Sequence, residues 1–246
     1  MLQNQHLNKQ IPVPLYFQLE QLLRDEIETG AYPPGSLIPT EKELIEHFGV
    51  SRTTVRQAIH DLVQEGILYR TKSKGTFVAL PKVSQHFIHS FLPYQDDVRN
   101  NGATPATDVL DLRVTTLPVE LSAEAAGLGT SVIYLYRKRY VDGEPFVRVK
   151  TYLPYTACRF LLQHDLSSES LYELLSQHSE TKPTRIVRSC EIQSADQEDA
   201  RILGVKRGQP IHYFITKSYN GDGKLIEYSI ARYRGDRSRF LVEITR

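Results

Sequence analysis

The segment from Ser51 to Gly66 constrains the fold more than any other part of the chain. A serine supplies an oxygen for the free N–H groups of a first helical turn, and a glycine readily adopts the left-handed conformation that ends a helix. Between them, apolar residues recur at intervals of three and four and form one face. That face contains Val55, Ala58, Ile59, Leu62 and Val63. The sequence therefore predicts a short amphipathic helix with a core face and an outward face.

The outward face of this helix carries Arg52 and Arg56 in its first turns, with Thr53 between them. Guanidinium groups near the positive end of a helix dipole can form paired hydrogen bonds with phosphate or with the O6 and N7 atoms of guanine. We therefore interpret the segment as a DNA-recognition helix. For the segment taken by itself, an ordinary charged face in contact with water is the alternative.

The segments on both sides favour the DNA hypothesis. Thr40 and Glu43 have the spacing of a capping box that opens a helix, and Gly49 gives a tight turn into Ser51. Downstream, residues 67–78 alternate apolar and polar side chains around a Lys-Ser-Lys-Gly turn, which predicts a hairpin. The basic residues of the first helix and of the hairpin are Lys42, Arg70, Lys72 and Lys74. Helix, turn, helix and basic hairpin together are typical of a winged helix-turn-helix.

The chain has 246 residues, which favours two domains. The polar residues 1–10 are predicted to be disordered, and residues 11–78 to form the winged helix on a scaffold helix that begins at Pro14. Residues 79–88 show neither helical nor strand periodicity and are predicted to be a linker. Residues 89–246 are rich in tyrosine and alternating segments, so we expect a second domain of mixed α and β structure.

Bulk charge does not indicate a nucleic-acid partner, because the formal net charge is only +1. Residues 11–80 contain seven basic and nine acidic side chains. Six of the seven basic residues fall between Lys42 and Lys74, on the proposed contact surface. DNA binding is therefore indicated by where the charges lie and not by their sum.

Several classes of protein are disfavoured by the sequence. Two cysteines are too few for a disulfide scaffold and lack metal-ligand spacing. A bilayer-spanning run of about 18 apolar residues is not found, nor is a signal-peptide pattern, so we expect a cytoplasmic protein without a membrane partner. No cofactor is predicted. Neither a nucleophile elbow nor a glycine-rich phosphate loop occurs. Glu227 is left as a candidate general acid.

The second domain shows a weak internal duplication. A short helix ending in glycine is followed by a strand, a tight turn and a returning strand, and the series occurs twice. The predicted segments are 122–129, 132–141 and 146–153 in one half, and 195–204, 210–219 and 225–233 in the other. Two such units predict one antiparallel sheet with pseudo-twofold symmetry, covered on one side by a helix over residues 168–178. A cleft between the halves is the expected ligand site.

The N-terminal motifs resemble a known family. They are Pro14-Leu-Tyr16, Pro34-Gly35, Ile38-Pro-Thr-Glu-Lys-Glu-Leu44, Gly49-Val-Ser-Arg-Thr-Thr-Val-Arg56, Gly66-Ile67 and Lys74-Gly-Thr-Phe-Val78. They resemble the winged-helix domain of GntR-family bacterial transcription regulators, which implies contacts to operator bases and phosphates. The residues so implied are Lys42, Ser51, Arg52, Thr53, Thr54, Arg56, Lys72, Lys74 and Gly75. The family commonly has arginine in place of Lys42 and glycine in place of Ser73.

The rest of the chain resembles the UTRA effector-binding domain, which implies the HutC-type branch of the same regulators. The matching segments are Asp142-Gly-Glu-Pro145, Tyr152-Leu-Pro154, Ser170-Leu-Tyr-Glu-Leu-Leu175, Glu227-Tyr-Ser229 and Arg234-Gly-Asp-Arg237. Such domains bind phosphorylated sugars, urocanate or other organic acids and thereby change DNA affinity. Their fold is similar to that of chorismate lyase, an enzyme.

The strand pattern suggests where an anion would bind. Alternation places Arg137 and Arg139 on one face of their strand, and the returning strand aligns Arg148, Lys150 and Tyr152. An arginine pair suits a phosphate or a carboxylate. The alternative is that cations near a sheet edge prevent aggregation. The resemblance favours a ligand role for Arg137 and Arg139, because sugar-phosphate-binding relatives use an arginine pair at this strand.

The same resemblance implies further effector-binding residues. Ser90 and Phe91 would begin a loop that closes on the anion, and Ser170 and Tyr172 would lie at the covering helix. Glu227 and Tyr233 would bind hydroxyl or amine groups of the ligand. Tyr172 and Tyr233 could equally be core tyrosines. Many relatives have an acid where Val149 stands, so recognition of a polar or cationic part of the ligand is expected to differ here.

We therefore expect an α+β protein with an N-terminal winged helix-turn-helix and a C-terminal antiparallel-sheet effector domain. The predicted function is that of a repressor released from a palindromic operator by a small anionic metabolite. A homodimer is expected, because one short helix gives too few base contacts for good specificity. The alternatives are a ligand-independent DNA-binding protein and an enzyme with an accessory DNA-binding domain.

Overall fold

The computed structural model describes residues 5–80, 82–85 and 94–242. The chain forms two compact units, Met1–Pro81 and Lys82–Arg246, which we call unit 1 and unit 2. Each unit has its own hydrophobic core. Within the described ranges, no helix has the length and apolar character that crossing a membrane requires.

Unit 1 is a helix-turn-helix followed by a hairpin. Its elements are α1 (Leu15–Glu28), α2 (Glu41–Phe48), α3 (Arg52–Gln64), β1 (Leu68–Thr71) and β2 (Gly75–Val78). β1 and β2 are antiparallel, with Leu68 opposite Val78. This arrangement confirms the winged-helix prediction.

Local hydrogen bonds explain where α2 and α3 begin. The Thr40 hydroxyl accepts a hydrogen bond from the Glu43 backbone N–H at 3.3 Å, and the Glu43 carboxylate accepts one from the Thr40 N–H at 2.7 Å. The Ser51 hydroxyl accepts from the Thr54 N–H at 3.1 Å. Gly49 has φ 58 between the two helices. Both predicted caps are therefore present, and each satisfies N–H groups that a helix start leaves unpaired.

The apolar face of α3 packs into the core of unit 1. Four of its residues are at most 1 % exposed: Val55, Ala58, Ile59 and Leu62. They share one cluster with Leu19 and Leu23 of α1 and with Leu44 of α2. Because this face is fixed inward, the polar face of α3 must point outward.

The segment before α1 contacts that helix through its side chains and backbone. The Gln5 side chain donates to a carboxylate oxygen of Glu26 at 3.0 Å, and the Asn8 N–H donates to the Gln18 side chain at 2.9 Å. Both acceptors belong to α1, so the segment is held against that helix. The disorder of residues 1–10 stays a prediction, and the first four residues lie outside the described part.

Unit 2 is built on a six-stranded antiparallel sheet. In chain order its elements are β3 (Val83–Gln85), α4 (Tyr94–Asn100), β4 (Pro105–Thr116), β5 (Ser131–Val141), β6 (Glu144–Pro154), α5 (Tyr155–Cys158), α6 (Leu171–Ser176), β7 (Arg185–Ser194), α7 (Gln197–Leu203), β8 (Pro210–Tyr219), β9 (Leu225–Arg234) and β10 (Ser238–Phe240). The strand order is β4-β5-β6-β9-β8-β7. Two three-stranded halves thus meet where β6 pairs with β9, in agreement with the predicted duplication.

Two predicted helices of unit 2 differ from the structure. Residues 122–129 do not form an α-helix: the segment contains one short 3-10 turn, Ala126–Leu128, and a second one, Val119–Leu121, precedes it. At Gly127 an added Cβ would lie 3.0 Å from the Leu225 Cβ, so this segment is shaped by packing on β9. The helix predicted over residues 168–178 is only α6, because Ser170 caps it.

The sequence did not predict four strands of unit 2, namely β3, β4, β7 and β10. β4 and β7 are the edge strands of the sheet, and several of their apolar residues are exposed, so their pattern lacks a clear buried face. β3 lies inside the predicted linker 79–88 and pairs parallel with β10. Part of that linker therefore belongs to the fold of unit 2.

The wing provides a test of the fold. Gly75 has φ 123, and a Cβ added there would lie 2.6 Å from the Leu37 Cδ2 atom. We expect Gly75→Ala to lower the free energy of unfolding of unit 1 by about 1–3 kcal/mol, because the backbone is strained for any L side chain. Hydrogen exchange of the full chain in increasing urea measures this change separately for each unit. The control is Gly221→Ala, because a Cβ added there has no atom within 4 Å. An equal effect of both variants would contradict the proposed strain at Gly75.

Candidate functional site

The outward face of α3 presents two arginines. Arg52 and Thr53 are exposed, and the Arg56 side chain is 63 % exposed. The hydroxyls of Ser51 and Thr54 lie 2.9 Å apart and belong to the helix cap. The structure therefore gives Ser51 and Thr54 a role in shaping the first turn, whereas Arg52, Thr53 and Arg56 reach outward.

An acidic residue lies beside Arg56. The Arg56 Nε–H donates to one Glu41 carboxylate oxygen at 3.2 Å, and an N–H of Arg70 on β1 donates to the other at 3.4 Å. Such exposed ion pairs are worth about 0–1 kcal/mol. Because Arg56 stays largely exposed and the ion pair is weak, Glu41 does not bar Arg56 from a DNA groove.

The remaining predicted DNA contacts are also exposed. Lys42 is 84 % exposed and lies 3.8 Å from Glu46, and Lys72 and Lys74 lie in the hairpin turn on either side of Ser73. The next residue, Gly75, has the backbone conformation described above. We call the set Lys42, Arg52, Arg56, Arg70, Lys72 and Lys74 the basic surface. These cations can follow a phosphate backbone while the α3 arginines reach base edges.

Unit 2 contains a pocket on one face of its sheet, also lined by residues of α4 and α6. Each of the six strands contributes to its wall. The strand residues are Thr107, Arg137, Arg139, Val149, Thr151, Arg188, Phe214, Thr216, Glu227, Ser229, Ala231 and Tyr233. One part of the wall is cationic, one carries hydroxyl groups and one is apolar.

Arg137 is the most deeply placed cation of this pocket. It is only 4 % exposed, and its Nε–H has no hydrogen-bond partner in the part of the chain that the structure describes. Burial and then the charge of Arg139 lower the pKa of Arg137. The charge of Glu227 opposes this lowering without outweighing it, so an anionic ligand would be attracted here.

Arg139 lies on the same face of β5. Its guanidinium carbon is 4.6 Å from the centre of the Tyr94 ring, a cation–π contact. Its Nε–H is buried and without a partner among the described residues. The Tyr94 hydroxyl donates to the Tyr140 carbonyl at 2.9 Å, which fixes the ring beneath Arg139.

Glu227 is held by hydroxyl groups. It accepts hydrogen bonds from Tyr172 at 2.8 Å, from Ser229 at 2.6 Å and from Ser218. Burial and the Glu227 charge raise the pKa of Tyr172, so its hydroxyl is a stable donor. Thr151 and Ser229 extend the network with a contact of 2.8 Å. Two of the predicted effector residues, Tyr172 and Glu227, are therefore partners of one another.

The structure brings together most of the predicted effector-binding residues. Six line the pocket: Arg137, Arg139, Ser170, Tyr172, Glu227 and Tyr233. Ser90 and Phe91 lie outside the described residues. Tyr152 is placed elsewhere.

Tyr152, Arg148 and Lys150 lie on the opposite face of the sheet, which corrects the expected alignment with Arg137. The tight turn pairs Val141 with Glu144, and continuing that register would place Arg148 opposite Arg137. A β-bulge shifts the register, so that Arg137 lies opposite Val149 instead. A shift of one residue moves every later side chain to the other face. Tyr152 packs at 5.2 Å against Tyr134, away from the pocket.

On that opposite face the cations are paired with acids of α7. The Arg148 Nε–H donates to Asp199 at 2.6 Å, and Lys150 donates to Glu198 at 2.7 Å. Arg232 of β9 lies 2.8 Å from the other Asp199 oxygen. These contacts give Arg148 and Lys150 a structural role.

The sequence interpretation missed several lining residues. Arg188 of β7 brings a third guanidinium group into the pocket wall, and Thr107 of β4 adds a hydroxyl. Both strands were missing from the prediction, so their faces could not be assigned. The sequence signal for β7 was the recurrence of Ile186, Arg188 and Cys190 at every second position, which places them on one face of a strand. As for metals, the described residues contain no group of three His, Cys, Asp or Glu side chains suited to an ion.

Comparisons with known proteins agree with this architecture. Residues 15–78 match the profile of bacterial regulatory proteins of the gntR family, and residues 100–239 match the UTRA domain. The chain is 32 % identical over 237 residues to the HTH-type transcriptional repressor NagR of Bacillus subtilis strain 168, covering 96 % of this chain and 97 % of that protein. It is 27 % identical to the histidine utilization repressor of Pseudomonas putida, over 85 % and 84 % of the two chains. The crystal structure of PhnF from Mycobacterium smegmatis aligns with a TM-score of 0.63 and 26 % identity, over 94 % of this chain and 98 % of that one.

The acid cluster on the opposite sheet face yields a prediction about stability. Burial raises the pKa of Asp199, but hydrogen bonds from Arg232, the Asp196 backbone and Arg148 outweigh it and hold that pKa below its ordinary value. Removing the charge leaves the buried Arg232 without an acidic partner among the described residues, and leaves Arg148 with only the more exposed Asp196 and Glu198. We therefore expect Asp199→Asn to destabilise unit 2 by about 3 kcal/mol at neutral pH. Urea unfolding measures the loss.

The sign of the pH effect follows from the lowered pKa. Asp199 stabilises the fold above its ordinary pKa of about 4, and this contribution is lost as the pH falls through the folded value. Asp199→Asn should therefore make stability less sensitive to acid. The control Asp96→Asn breaks a surface ion pair with Arg99 and should change stability by less than about 1 kcal/mol. Equal losses for the two variants would refute the cluster's role.

Proposed function

The chain belongs to the gntR family of bacterial regulatory proteins and carries a UTRA domain, and on this premise we propose that it is a repressor released from its operator by a small anion. Unit 1 binds the operator through the basic surface. Unit 2 binds the anion in the pocket that contains Arg137 and Arg139. The family is regulatory, so the enzyme alternative is set aside.

The proposed binding to DNA is supported by the outward arginine pair of α3. Arg52 and Arg56 begin a helix whose opposite face is locked into the core. A recognition helix of this kind enters the major groove with its N-terminal residues at the base edges. The lysines of the hairpin then contact flanking phosphates, which supplies affinity without sequence information.

We further propose that the protein acts as a homodimer on a palindromic operator. A single bidentate contact discriminates bases by about 1–3 kcal/mol, too little to find one site in a chromosome. Two copies double the number of base contacts. Binding to chromosomal DNA also implies that the protein works in the cytoplasm.

The anionic part of the effector is proposed to bind at Arg137 and Arg139. The charge of Arg137 is buried and poorly matched, and Arg188 adds a third guanidinium group to the wall. Phosphate and carboxylate are the groups that such a cluster binds with paired hydrogen bonds.

The rest of the effector is proposed to be uncharged. The only carboxylates that line the pocket in the described ranges are Glu169 and Glu227. Glu227 already accepts three hydroxyl donors, and Glu169 is bonded to the Asp165 N–H at 2.8 Å and to His164 at 3.0 Å. Val149 lies opposite Arg137 and offers no charge. An ammonium group would therefore find no unengaged acid, whereas a neutral hydroxylated or apolar body fits the wall.

Release from the operator requires that the effector bind one arrangement of the protein better than the other. The alternative of a ligand-independent DNA-binding protein would leave the buried charge of Arg137 unexplained, since an apolar side chain would be more stable there. A burial of this kind is typical of a ligand site. We therefore favour the effector-responsive form.

Replacing Arg52 tests the proposed binding of unit 1 to the operator. We expect Arg52→Ala to weaken binding to a duplex selected from a random pool by the wild-type protein by about 10- to 100-fold, since one bidentate base contact is lost. Binding to a base-shuffled duplex should change much less. Fluorescence anisotropy over a series of salt concentrations measures both.

The matched control is Arg201→Ala, which removes an exposed arginine from α7 in unit 2. It should leave both affinities within about twofold, since no phosphate contact is lost. Wild-type binding that does not depend on salt would rule out the proposed interface.

The double variant Arg137→Met, Arg139→Met tests the proposed anion binding in the pocket of unit 2. We expect inorganic phosphate and a hexose 6-phosphate to raise the melting temperature of the wild type by mass action, and to leave that of the double variant unchanged. The unliganded variant should be at least as stable as the wild type, because a poorly matched buried charge is removed. Operator binding should persist without release by the hexose phosphate.

Lys138→Met is the control, because Lys138 lies between the two arginines on the other face of β5. It should respond to ligands as the wild type does. A hexosamine 6-phosphate should stabilise the wild type less than the neutral hexose phosphate does. A full response of the double variant would overturn the assignment of the pocket.

A further inference from the structure

An acidic residue stands inside the basic surface. Glu41 is the first residue of α2, and its carboxylate joins Arg56 of α3 to Arg70 of β1. A negative charge at this position repels DNA phosphates and so lowers affinity for any duplex. A carboxylate in the first turn of α2 favours the helix dipole, but this effect does not require contacts with Arg56 or Arg70, and exposed ion pairs add little stability. The contact geometry offers another explanation.

The carboxylate engages only one edge of the Arg56 guanidinium group. It accepts a hydrogen bond from Nε at 3.2 Å. The two terminal nitrogens of Arg56 make no hydrogen bond to any residue that the structure describes. A fork of terminal N–H groups is the part of an arginine that pairs with guanine O6 and N7. Glu41 thus holds the edge that does not read bases and leaves the reading edge exposed.

We propose that Glu41 is a positioning residue for base reading. It orients the guanidinium plane of Arg56 before DNA arrives, which reduces the conformational entropy lost on specific binding. Its charge also weakens contacts to phosphates at sites where Arg56 finds no guanine. Glu41 therefore lowers non-specific affinity and raises the ratio of specific to non-specific binding. This inference rests on the proposed DNA binding by α3.

The contact with Arg70 serves the same end. Through it, the carboxylate links the recognition helix to the first strand of the wing. Because the two arginines share one carboxylate, moving either cation toward a phosphate weakens its own ion pair. Contacts by Arg56 and Arg70 are thereby restricted to positions where the gain from DNA exceeds that loss.

The test compares Glu41→Gln with Glu46→Gln in the full-length protein. Each removes one negative charge from α2, and Glu46 pairs only at 3.8 Å with Lys42. The probes are the duplex that wild-type protein selects from a random pool and a base-shuffled duplex of equal length. Affinities are measured by fluorescence anisotropy at several salt concentrations, and melting temperatures check the fold.

We expect Glu41→Gln to bind the shuffled duplex a few-fold more tightly, and to lower the ratio of the two affinities by about tenfold, the size of one bidentate base contact. Glu46→Gln should strengthen binding to both duplexes equally and leave the ratio unchanged. If both variants change the ratio by the same factor, Glu41 acts only through its charge and the inference fails.

A second background separates positioning from a general effect on the fold. Arg56→Lys keeps the charge but has no guanidinium fork to orient. In that background, Glu41→Gln should leave the ratio unchanged, and a further tenfold loss would contradict the inference. If the wild-type protein selects no sequence from the pool, the proposed function itself fails. If it selects a sequence and Glu41→Gln keeps the wild-type ratio, only the role of Glu41 is refuted.

Discussion

The burial of arginine side chains on a β-sheet is the physical constraint on which unit 2 depends. Arg148 and Arg137 are both 4 % exposed and lie on neighbouring strands, but on opposite faces. Asp199 matches Arg148 closely, whereas Arg137 has no such partner among the described residues. A buried cation that is paired with a carboxylate specifies a packing arrangement. A buried cation without such a pair favours the binding of an anionic ligand. One sheet therefore separates a structural face from the proposed ligand-binding face.

Unit 1 solves a different electrostatic problem. The unit must attract a polyanion although its acidic side chains outnumber the basic ones. The packing of α3 resolves this, because its apolar face forces the arginines outward and the hairpin places lysines beside them. Local charge at short range outweighs the net charge of the unit once salt screens distances beyond about 10 Å. Under the positioning role proposed for Glu41, an acid within this surface also serves recognition.

Much of unit 1 could be predicted because its signals are local. The capping pair Thr40 and Glu43 and the cap Ser51 act within one helical turn, and the structure has all of these contacts. The hairpins of unit 2 were likewise marked by their turns. What failed was register: the bulge between Arg139 and Tyr140 places Tyr152 on the face away from the pocket. A bulge depends on packing against other strands, so residue alternation cannot reveal it.

Packing also connects the pocket to the start of unit 2. Phe214 and Tyr233 line the pocket, and the Phe240 ring lies 4.6 Å and 5.2 Å from theirs. Phe240 belongs to β10, which pairs in parallel with β3, the first strand after the winged helix in sequence. Close-packed aromatic rings cannot shift independently. A shift of the pocket wall would therefore be transmitted to β10 and to its hydrogen-bonded partner β3, the first strand that follows unit 1 in sequence.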